Sequence, residues 1–204
     1  MKTAVIFGAG EQNIKQLTLP ENALVWAADG GLSYCEKLGI TPDFLIGDYD
    51  SLGFVPAKAE VLPVQKDVTD MAAAVAKAAE EGCDTFYIYG GTGNRLDHTL
   101  ANISLLIDLA KKGKKAYLCD RDYTVTAVSN GEICFDETEK GVISVFAADT
   151  EVHGVCIEGL LYEVQDMTFE NRFALGVSNE FTGKKSRISV KNGTLVIVKN
   201  HFSS

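Results

Sequence analysis

Short apolar runs alternate with polar turns in the N-terminal part of the chain. Each run is bounded by Gly, Asp or a charged residue. Runs that are apolar on both faces are typical of strands buried in a mostly parallel sheet. We therefore predict an α/β domain whose strands are residues 4–7, 23–28, 44–46, 85–89 and 116–119.

Two segments between these runs have helical patterns. Residues 70–81 are rich in alanine and stop at Gly82, a common residue at helix C-termini. Residues 98–112 carry apolar side chains three or four positions apart and end in two lysines. Because lysine is favourable at the negative end of a helix dipole, this pattern also predicts a helix.

The pattern changes near residue 123, where short β-rich runs replace the alternation. Asn130-Gly131 and Asn192-Gly193 lie between such runs, and Asn-Gly predicts a tight hairpin. No segment here has a helical pattern longer than one turn, so we predict an antiparallel sandwich or flattened barrel. The predicted strands are 124–128, 132–135, 142–146, 152–157, 160–164, 173–175, 187–190 and 195–198.

The change of pattern predicts two domains. An α/β domain with a mostly parallel sheet would occupy residues 1–122, and an all-β sandwich domain would occupy residues 123–204. A chain of 204 residues is long enough for each to bury a core.

Composition narrows the function classes. The net charge is −9, and binding to nucleic acid or to a membrane surface needs a basic face, so we expect neither. No stretch approaches the roughly 20 apolar residues of a membrane span, and the first apolar run is too short for a signal peptide. The five cysteines include no Cys-x-x-Cys pair and indicate reduced thiols. We expect a soluble cytoplasmic protein.

Aspartates cluster at the predicted strand ends. Asp29, Asp48, Asp50, Asp67 and Asp70 each lie where an apolar stretch gives way to a turn. In an open α/β sheet the carboxyl ends of the strands line the ligand crevice. Carboxylates gathered there repel one another unless a cation holds them, and Mg²⁺ prefers such hard oxygen ligands. The alternative is that they are ordinary turn formers and helix N-caps.

Two of these segments have features of a phosphate site. Asp48 and Asp50 are two positions apart, so in an extended backbone both side chains point to the same side and can bind one cation or bracket two. Lys66 and Asp70 precede the alanine-rich helix, where Lys66 would hold a phosphate and Asp70 would join the metal shell. An N-cap with a surface ion pair is the competing interpretation.

Glycine-rich turns suggest where an anion would bind. Residues 90–98 follow a strand and open a helix, which is the arrangement of an anion-binding turn. Arg95 offers a rigid fork for phosphate oxygens, Asp97 is a candidate base or metal ligand, and His98 is equally explained as a helix-start residue. Gly8-Ala-Gly10 lacks the third glycine of a dinucleotide fingerprint. Residues 176–180 are read as a turn, with a binding loop as the alternative.

Taken in order, these segments resemble bacterial thiamine pyrophosphokinases. The resemblance runs from the first strand to the last. Its motifs are Asp29-Gly-Gly31, Gly47-Asp48-Tyr-Asp50-Ser51, Lys66-Asp67-x-Thr69-Asp70, Gly90-Gly-Thr-Gly-Asn-Arg95-Leu-Asp97-His98 with Asn102, and Gly176-Val-Ser178-Asn179-Glu180.

The resemblance implies transfer of pyrophosphate from ATP to the hydroxyl of thiamine, giving thiamine diphosphate and AMP. It also implies a homodimer with thiamine near the subunit interface. Asp48, Asp50 and Asp70 would hold Mg²⁺, and Ser178 and Asn179 would touch thiamine. The catalytic candidates are Asp50, Asp70, Asp97 and Arg95. The nucleotide or its phosphates would meet Asp29, Gly30, Gly31, Lys66, Thr92, Arg95, Asp97 and Asn102.

Two other functions remain open at this point. A Mg²⁺-dependent phosphatase or nucleotide hydrolase would keep the aspartates but need no acceptor. A sensor of thiamine or nucleotide would bind without catalysis, although a binding module has little use for three mutually repelling carboxylates.

Overall fold

The structure is a computed structural model that describes residues 1–47, 59–61, 68–93 and 95–201. The chain forms two compact units. The first comprises Met1–Leu105 with Ala116–Asp120, and the second comprises Leu106–Lys115 with Arg121–Ser204. No helix among the described residues is long and apolar enough to cross a membrane.

The first unit is built on a mostly parallel sheet. Its strands are β1 (Lys2–Phe7), β2 (Leu24–Ala28), β3 (Phe44–Gly47), β4 (Ala59–Val61), β5 (Cys83–Tyr89) and β6 (Lys115–Cys119), and they lie in the order β6-β5-β1-β2-β3-β4. Strand β1 pairs in parallel with β2 and β5, β2 pairs in parallel with β3, and β3 with β4. The predicted mostly parallel sheet is therefore confirmed, and β4 is an addition.

The apolar runs form strands because the core covers both of their faces. The last four residues of β1 are all fully buried, and so are most residues of β2. Alternating side chains of a strand point to opposite faces, so an unbroken buried run must be covered on both sides. This is the pattern from which the sheet was predicted.

The structure contains three helices among its described residues. They are α1 (Gly31–Leu38), α2 (Asp70–Glu80) and α3 (Leu96–Lys111), and the last two confirm the predicted helices. Helix α1 is absent from the sequence prediction, because it is short and begins at a Gly-Gly pair that reads as a turn. Its buried residues Gly31, Tyr34 and Cys35 nevertheless keep helical spacing, and Gly39 ends it in the left-handed region at φ +67°.

The second unit contains two antiparallel sheets. The strands are β7 (Tyr123–Ser129), β8 (Glu132–Phe135), β9 (Val142–Ala147), β10 (Glu151–Glu158), β11 (Val164–Glu170), β12 (Gly176–Glu180), β13 (Ser186–Ser189) and β14 (Thr194–Asn200). Their orders are β12-β9-β14-β7 and β11-β10-β13-β8, and both sheets contribute to one apolar core that includes Ile143, Ile157 and Leu195. No described residue after position 120 is helical, so the predicted sandwich is confirmed.

The two predicted Asn-Gly hairpins are wrong. Strand β7 pairs with β14, and β8 pairs with β13, so each Asn-Gly turn joins strands of different sheets. The turns instead bond to each other, since the Asn130 N–H donates to the Gly193 carbonyl at 3.1 Å and the Gly193 N–H donates to the Asn130 side chain at 2.9 Å. They act as paired corners of the sandwich.

Two predicted strands of this unit are also misplaced. Residues 176–180, read as a turn, form β12 and pair with β9, whereas residues 173–175, read as a strand, lie outside any strand. In the predicted strand 160–164 only Val164 is a strand residue, at the start of β11. Leu160 is buried and makes a single bridge to Phe181, so its apolar character reflects burial and not pairing in a ladder.

Candidate active site

A cavity of about 610 Å³ opens at the carboxyl ends of parallel strands in the first unit. Strands β1, β2 and β5 run in parallel, so the turns that follow them meet at one edge of the sheet. The starts of α2 and α3 complete the wall. The lining residues are Gly8, Ala9, Gly10, Glu11, Ala28, Asp29, Thr69, Asp70, Met71, Gly90, Gly91, Thr92, Arg95, His98 and Asn102.

The turns after β1 and β5 are bonded to each other along their backbones. The Gly8 N–H donates to the Tyr89 carbonyl at 2.8 Å, the Gly10 N–H to Gly90 at 2.7 Å and the Glu11 N–H to Thr92 at 2.8 Å. These bonds extend the pairing of the two strands beyond the sheet and into the cavity wall.

Glycine is required here by the close approach of the two backbones. A Cβ on Gly10 would lie 2.3 Å from the Thr92 carbonyl oxygen and 2.5 Å from that of Gly90. A Cβ on Gly90 would lie 2.4 Å from the Gly8 carbonyl oxygen. The glycines therefore serve contact between two parts of the chain. The sequence reading, which linked them to phosphate or dinucleotide motifs, missed this role.

The segment after β2 brings a carboxylate to the cavity. Asp29 lines the wall in a left-handed conformation at φ +48°, and its N–H donates to the Ile46 carbonyl at 2.9 Å. Gly30 and Gly31 are not among the described lining residues. A Cβ on Gly31 would lie 1.9 Å from the Phe7 carbonyl oxygen, so Gly31 lets α1 pack closely on the end of β1.

Helix α2 presents its first residue to the cavity. The N-cap is Thr69, whose side-chain oxygen accepts the Ala72 N–H at 3.1 Å. Asp70 is thus not the cap, and it lines the cavity at the positive end of the helix dipole. The sequence reading left open whether Asp70 caps the helix or faces a ligand, and Thr69 performs the capping.

Arg95 lines the cavity with its guanidinium held by a neighbouring carboxylate. Its Nε lies 2.9 Å from Oδ1 of Asp97 and its Nη2 lies 2.7 Å from Oδ2, which is a two-point ion pair. Both side chains are exposed. The hydrogen bond from Arg95 holds the pKa of Asp97 well below its usual range, and the same bond raises the pKa of Arg95. A carboxylate with a lowered pKa is a weak general base.

We expect the rate of the Asp97→Asn variant to fall at low pH just as that of the wild-type enzyme does, so the acid limb of the pH–rate profile is kept. Because the pKa of Asp97 is lowered, the carboxylate is already ionised throughout the range in which a base would titrate. Its removal should lower the rate uniformly, through a less well oriented Arg95. Rates measured from pH 5 to 9 test this, and loss of the acid limb in the variant would restore Asp97 as the base.

Thr92 and Asn102 are buried at the cavity, and their side chains bond to the protein. The Asn102 amide donates to the Gly91 carbonyl at 2.7 Å, which holds the turn after β5 onto α3. The Thr92 hydroxyl lies 2.6 Å from Oδ2 of Asp120. Asp120 was absent from the sequence prediction, although its position directly after β6 follows the same strand-end rule as Asp29.

Ser178 and Asn179 lie in the second unit, on β12. Asn179 is buried, and its side-chain oxygen accepts the N–H groups of Tyr162 and Glu180 while its amide donates to the Tyr162 carbonyl. Ser178 is exposed and left-handed at φ +60°, and its N–H donates to the Ser144 hydroxyl at 3.1 Å. The Asn179 side chain therefore fastens β12 to the segment around Tyr162.

Three predicted site residues, Asp48, Asp50 and Lys66, lie outside the described residues. Within the described parts of the chain, no group of three or more His, Cys, Asp or Glu side chains is placed to hold a metal ion. Even so, the cavity lining carries the carboxylates of Glu11, Asp29 and Asp70. Mg²⁺ commonly takes only one or two carboxylates with water and phosphate, so the carboxylate of Asp70 alone already suits that cation.

Two family models match the chain. The one described as "Thiamin pyrophosphokinase, catalytic domain" covers residues 16–118, and the one described as "Thiamin pyrophosphokinase, vitamin B1 binding domain" covers residues 131–195. A thiamine pyrophosphokinase of Bacillus subtilis (strain 168) is 30% identical over 213 residues, which span 98% of this chain and 99% of that protein. Thiamin pyrophosphokinase 1 of Caenorhabditis elegans is 28% identical over 172 residues, 76% of this chain and 68% of that protein.

Solved structures agree with the sequence matches. The crystal structure of thiamine pyrophosphokinase from Bacillus subtilis has a TM-score of 0.87 and 27% identity, and the match covers 98% of this chain and 99% of that one. The protein thus has an α/β unit, with a cavity at the carboxyl ends of its parallel strands, and an all-β unit. The chain belongs to the thiamin pyrophosphokinase family. It is therefore a transferase enzyme.

Proposed function

We propose that this enzyme transfers a pyrophosphoryl group from ATP to the hydroxyl of thiamine, giving thiamine diphosphate and AMP. Membership of the family supports thiamine as acceptor. The cavity in the α/β unit supports a nucleotide donor, since ligands of open α/β sheets bind at the carboxyl ends of the strands. The observation that carries the proposal is the convergence of Asp29, Asp70 and Arg95 on this one cavity.

The charges of the cavity wall suit a polyphosphate that arrives with a cation. Three carboxylates and one guanidinium are present among the described lining residues. We propose that Asp70, with Asp48 and Asp50, holds Mg²⁺. When bound, this ion would neutralise charge on the phosphate oxygens of the donor.

The chain's own contribution is orientation and charge stabilisation. Phosphoryl transfer needs in-line positioning more than covalent help from the protein. Arg95, oriented by Asp97, would offset negative charge that builds on the transferred group. The α2 N-terminus favours an anion near Asp70 and Met71. The Asn102 amide and the glycine contacts would keep the turn after β5 fixed while the donor binds.

The second unit is proposed to bind thiamine and to form the dimer. The family model described as a vitamin B1 binding domain covers Ser178 and Asn179, the predicted thiamine contacts.

A homodimer is supported by large apolar side chains that are exposed in this unit. They are concentrated between positions 161 and 177, at Leu161, Tyr162, Met167, Phe173, Leu175 and Val177. A cytoplasmic location remains a prediction from the sequence.

One incubation with ATP, Mg²⁺ and thiamine tests the proposal. We expect AMP and thiamine diphosphate in equal amounts, and we expect a chelator to abolish both. The products are separated by chromatography, with a reaction lacking thiamine as the control. ADP with thiamine monophosphate would mean a simple kinase, and free phosphate without thiamine dependence would mean a hydrolase; either result contradicts the proposal.

A further inference from the structure

Asp120 is a buried carboxylate that joins three loops of the first unit. It follows β6 directly, and only 5% of its surface is exposed. Its Oδ1 accepts the side-chain amide of Asn13 at 2.9 Å, and its Oδ2 lies 2.6 Å from the hydroxyl of Thr92. Asn13 belongs to the segment after β1, and Thr92 belongs to the turn after β5.

The bond to Asp120 determines which way the Thr92 hydroxyl points. Both oxygens of this carboxyl group accept hydrogen bonds, so the hydroxyl donates its single proton to Oδ2. At 2.6 Å this bond is short. Thr92 is 96% buried, so little water competes for that proton. The hydroxyl is left with lone pairs and has no proton to offer a ligand.

Because the Thr92 hydroxyl can only accept a further hydrogen bond, it suits a donor group of the substrate and does not suit a phosphate oxygen. Phosphate oxygens of ATP are acceptors, and a hydroxyl without an available proton gains nothing from them. The donors of ATP are the ribose hydroxyls and the exocyclic amine, and both belong to the nucleoside. We infer that Asp120 is a positioning residue that fixes Thr92 as an acceptor, and that Thr92 recognises a hydrogen-bond donor on the nucleoside part of the substrate. This inference rests on the proposed use of a nucleotide.

The competing explanation is purely structural. Asp120 and Thr92 would then hold the turn after β5 in place, as Asn102 does through the Gly91 carbonyl. Such a strut would affect all nucleotides equally. Recognition of one donor would instead affect only the analogue that lacks it, so substrate discrimination separates the two explanations.

The experiment compares ATP with three analogues, each lacking one donor: 2′-deoxy-ATP, 3′-deoxy-ATP and purine riboside triphosphate. Dissociation constants from calorimetry with Mg²⁺ and values of kcat/KM with thiamine are both measured. For the wild-type enzyme we expect one analogue to be about tenfold weaker than ATP, the effect of one lost hydrogen bond. In Thr92→Val the ratio of the dissociation constant of that analogue to that of ATP should fall below about twofold. Thr92→Ser keeps the hydroxyl and should retain the wild-type ratio.

Asp120→Asn tests the positioning role directly. An amide in place of the carboxylate presents N–H groups to Thr92 or to Asn13, so the Thr92 hydroxyl is no longer fixed as an acceptor towards the substrate. The ratio of the dissociation constants of the analogue and ATP should therefore also fall. Asp122→Asn is the matched control, because Asp122 is two residues further on and pairs with Arg121. That variant should discriminate like the wild type.

Two results of the analogue comparison would overturn the inference. One is equal discrimination by the wild-type enzyme and Thr92→Val. The other is a uniform loss for ATP and all three analogues in that variant, as expected of a strut. Wild-type binding of ATP without formation of AMP and thiamine diphosphate would refute the proposed function alone, because the ratios of dissociation constants would still decide the role of Thr92. No binding of any nucleotide would refute both.

Discussion

Replacing Gly10 by alanine is expected to destabilise the first unit by about 3 kcal/mol, at the upper end of the usual cost of overpacking. The new methyl group would meet two backbone oxygens, those of Thr92 at 2.3 Å and Gly90 at 2.5 Å. Backbone atoms cannot rotate away as a flexible side chain can. The turns after β1 and β5 must therefore separate, which strains the bonds that join Gly10 to Gly90 and Glu11 to Thr92.

The same change should lower activity by about 100-fold, because a displacement of about 1 Å in a positioning element is enough for such a loss. Unfolding by denaturant and initial rates of AMP formation measure the two effects. Gly131→Ala is the matched control, since a Cβ at that position would meet nothing closer than 3.5 Å. We expect it to change stability by no more than about 0.5 kcal/mol. Equal effects of the two substitutions would show that the close approach at Gly10 is unimportant.

The parts of the fold that follow from local pattern were predictable. The four buried residues of β1, residues 4–7, form an unbroken apolar run, and α3 carries apolar residues at helical spacing; both patterns depend only on neighbouring residues. The Asn-Gly turns show the limit of this reasoning. Asn-Gly specifies a reversal of the chain, but the partner of each strand depends on distant residues. Strand β7 thus found β14 and not its neighbour β8.

One rule, that polar residues after parallel strands and at the starts of the following helices meet at one edge of the sheet, placed Asp29, Asp70 and Arg95 together, and all three line the cavity. Thr92 and Asn102 also line it, but they were named only through the family resemblance. The hydrogen-bond partner of each side chain in the cavity could not be predicted from the sequence. Arg95 holds Asp97, and Asn102 holds Gly91, because of contacts that depend on the folded arrangement.

Asp120 shows why some site residues escape sequence reasoning. A single Asp after an apolar run is also the commonest kind of turn residue. Its importance comes from Thr92 and Asn13, which are 28 and 107 positions away along the chain. Burial and hydrogen-bond partners distinguish it from a surface aspartate, and neither is visible in the sequence.

Asp70→Asn is expected to reduce kcat/KM by about 100-fold or more while the protein still folds. The substitution keeps the shape of the side chain and removes its charge, so it removes a hard anionic ligand from the proposed magnesium site. The helix should persist because Thr69, and not Asp70, is the N-cap. Losing the charge beside the helix dipole should cost no more than about 1 kcal/mol of stability. The sequence predicts a similar loss of turnover for Asp50→Asn.

The Mg²⁺ concentration needed for half-maximal rate shows whether Asp70 is a metal ligand or only adds negative charge to the cavity. If Asp70 holds the ion, the variant should need a higher Mg²⁺ concentration for half-maximal rate, by about 10-fold or more. Glu11→Gln is the matched control, because it removes the same charge from the same cavity wall without touching the proposed metal ligands. A field effect would shift the magnesium requirement of both variants alike. Near-normal activity in Asp70→Asn would remove Asp70 from the metal site altogether, and the ion would then have to be held by Asp48 and Asp50 alone.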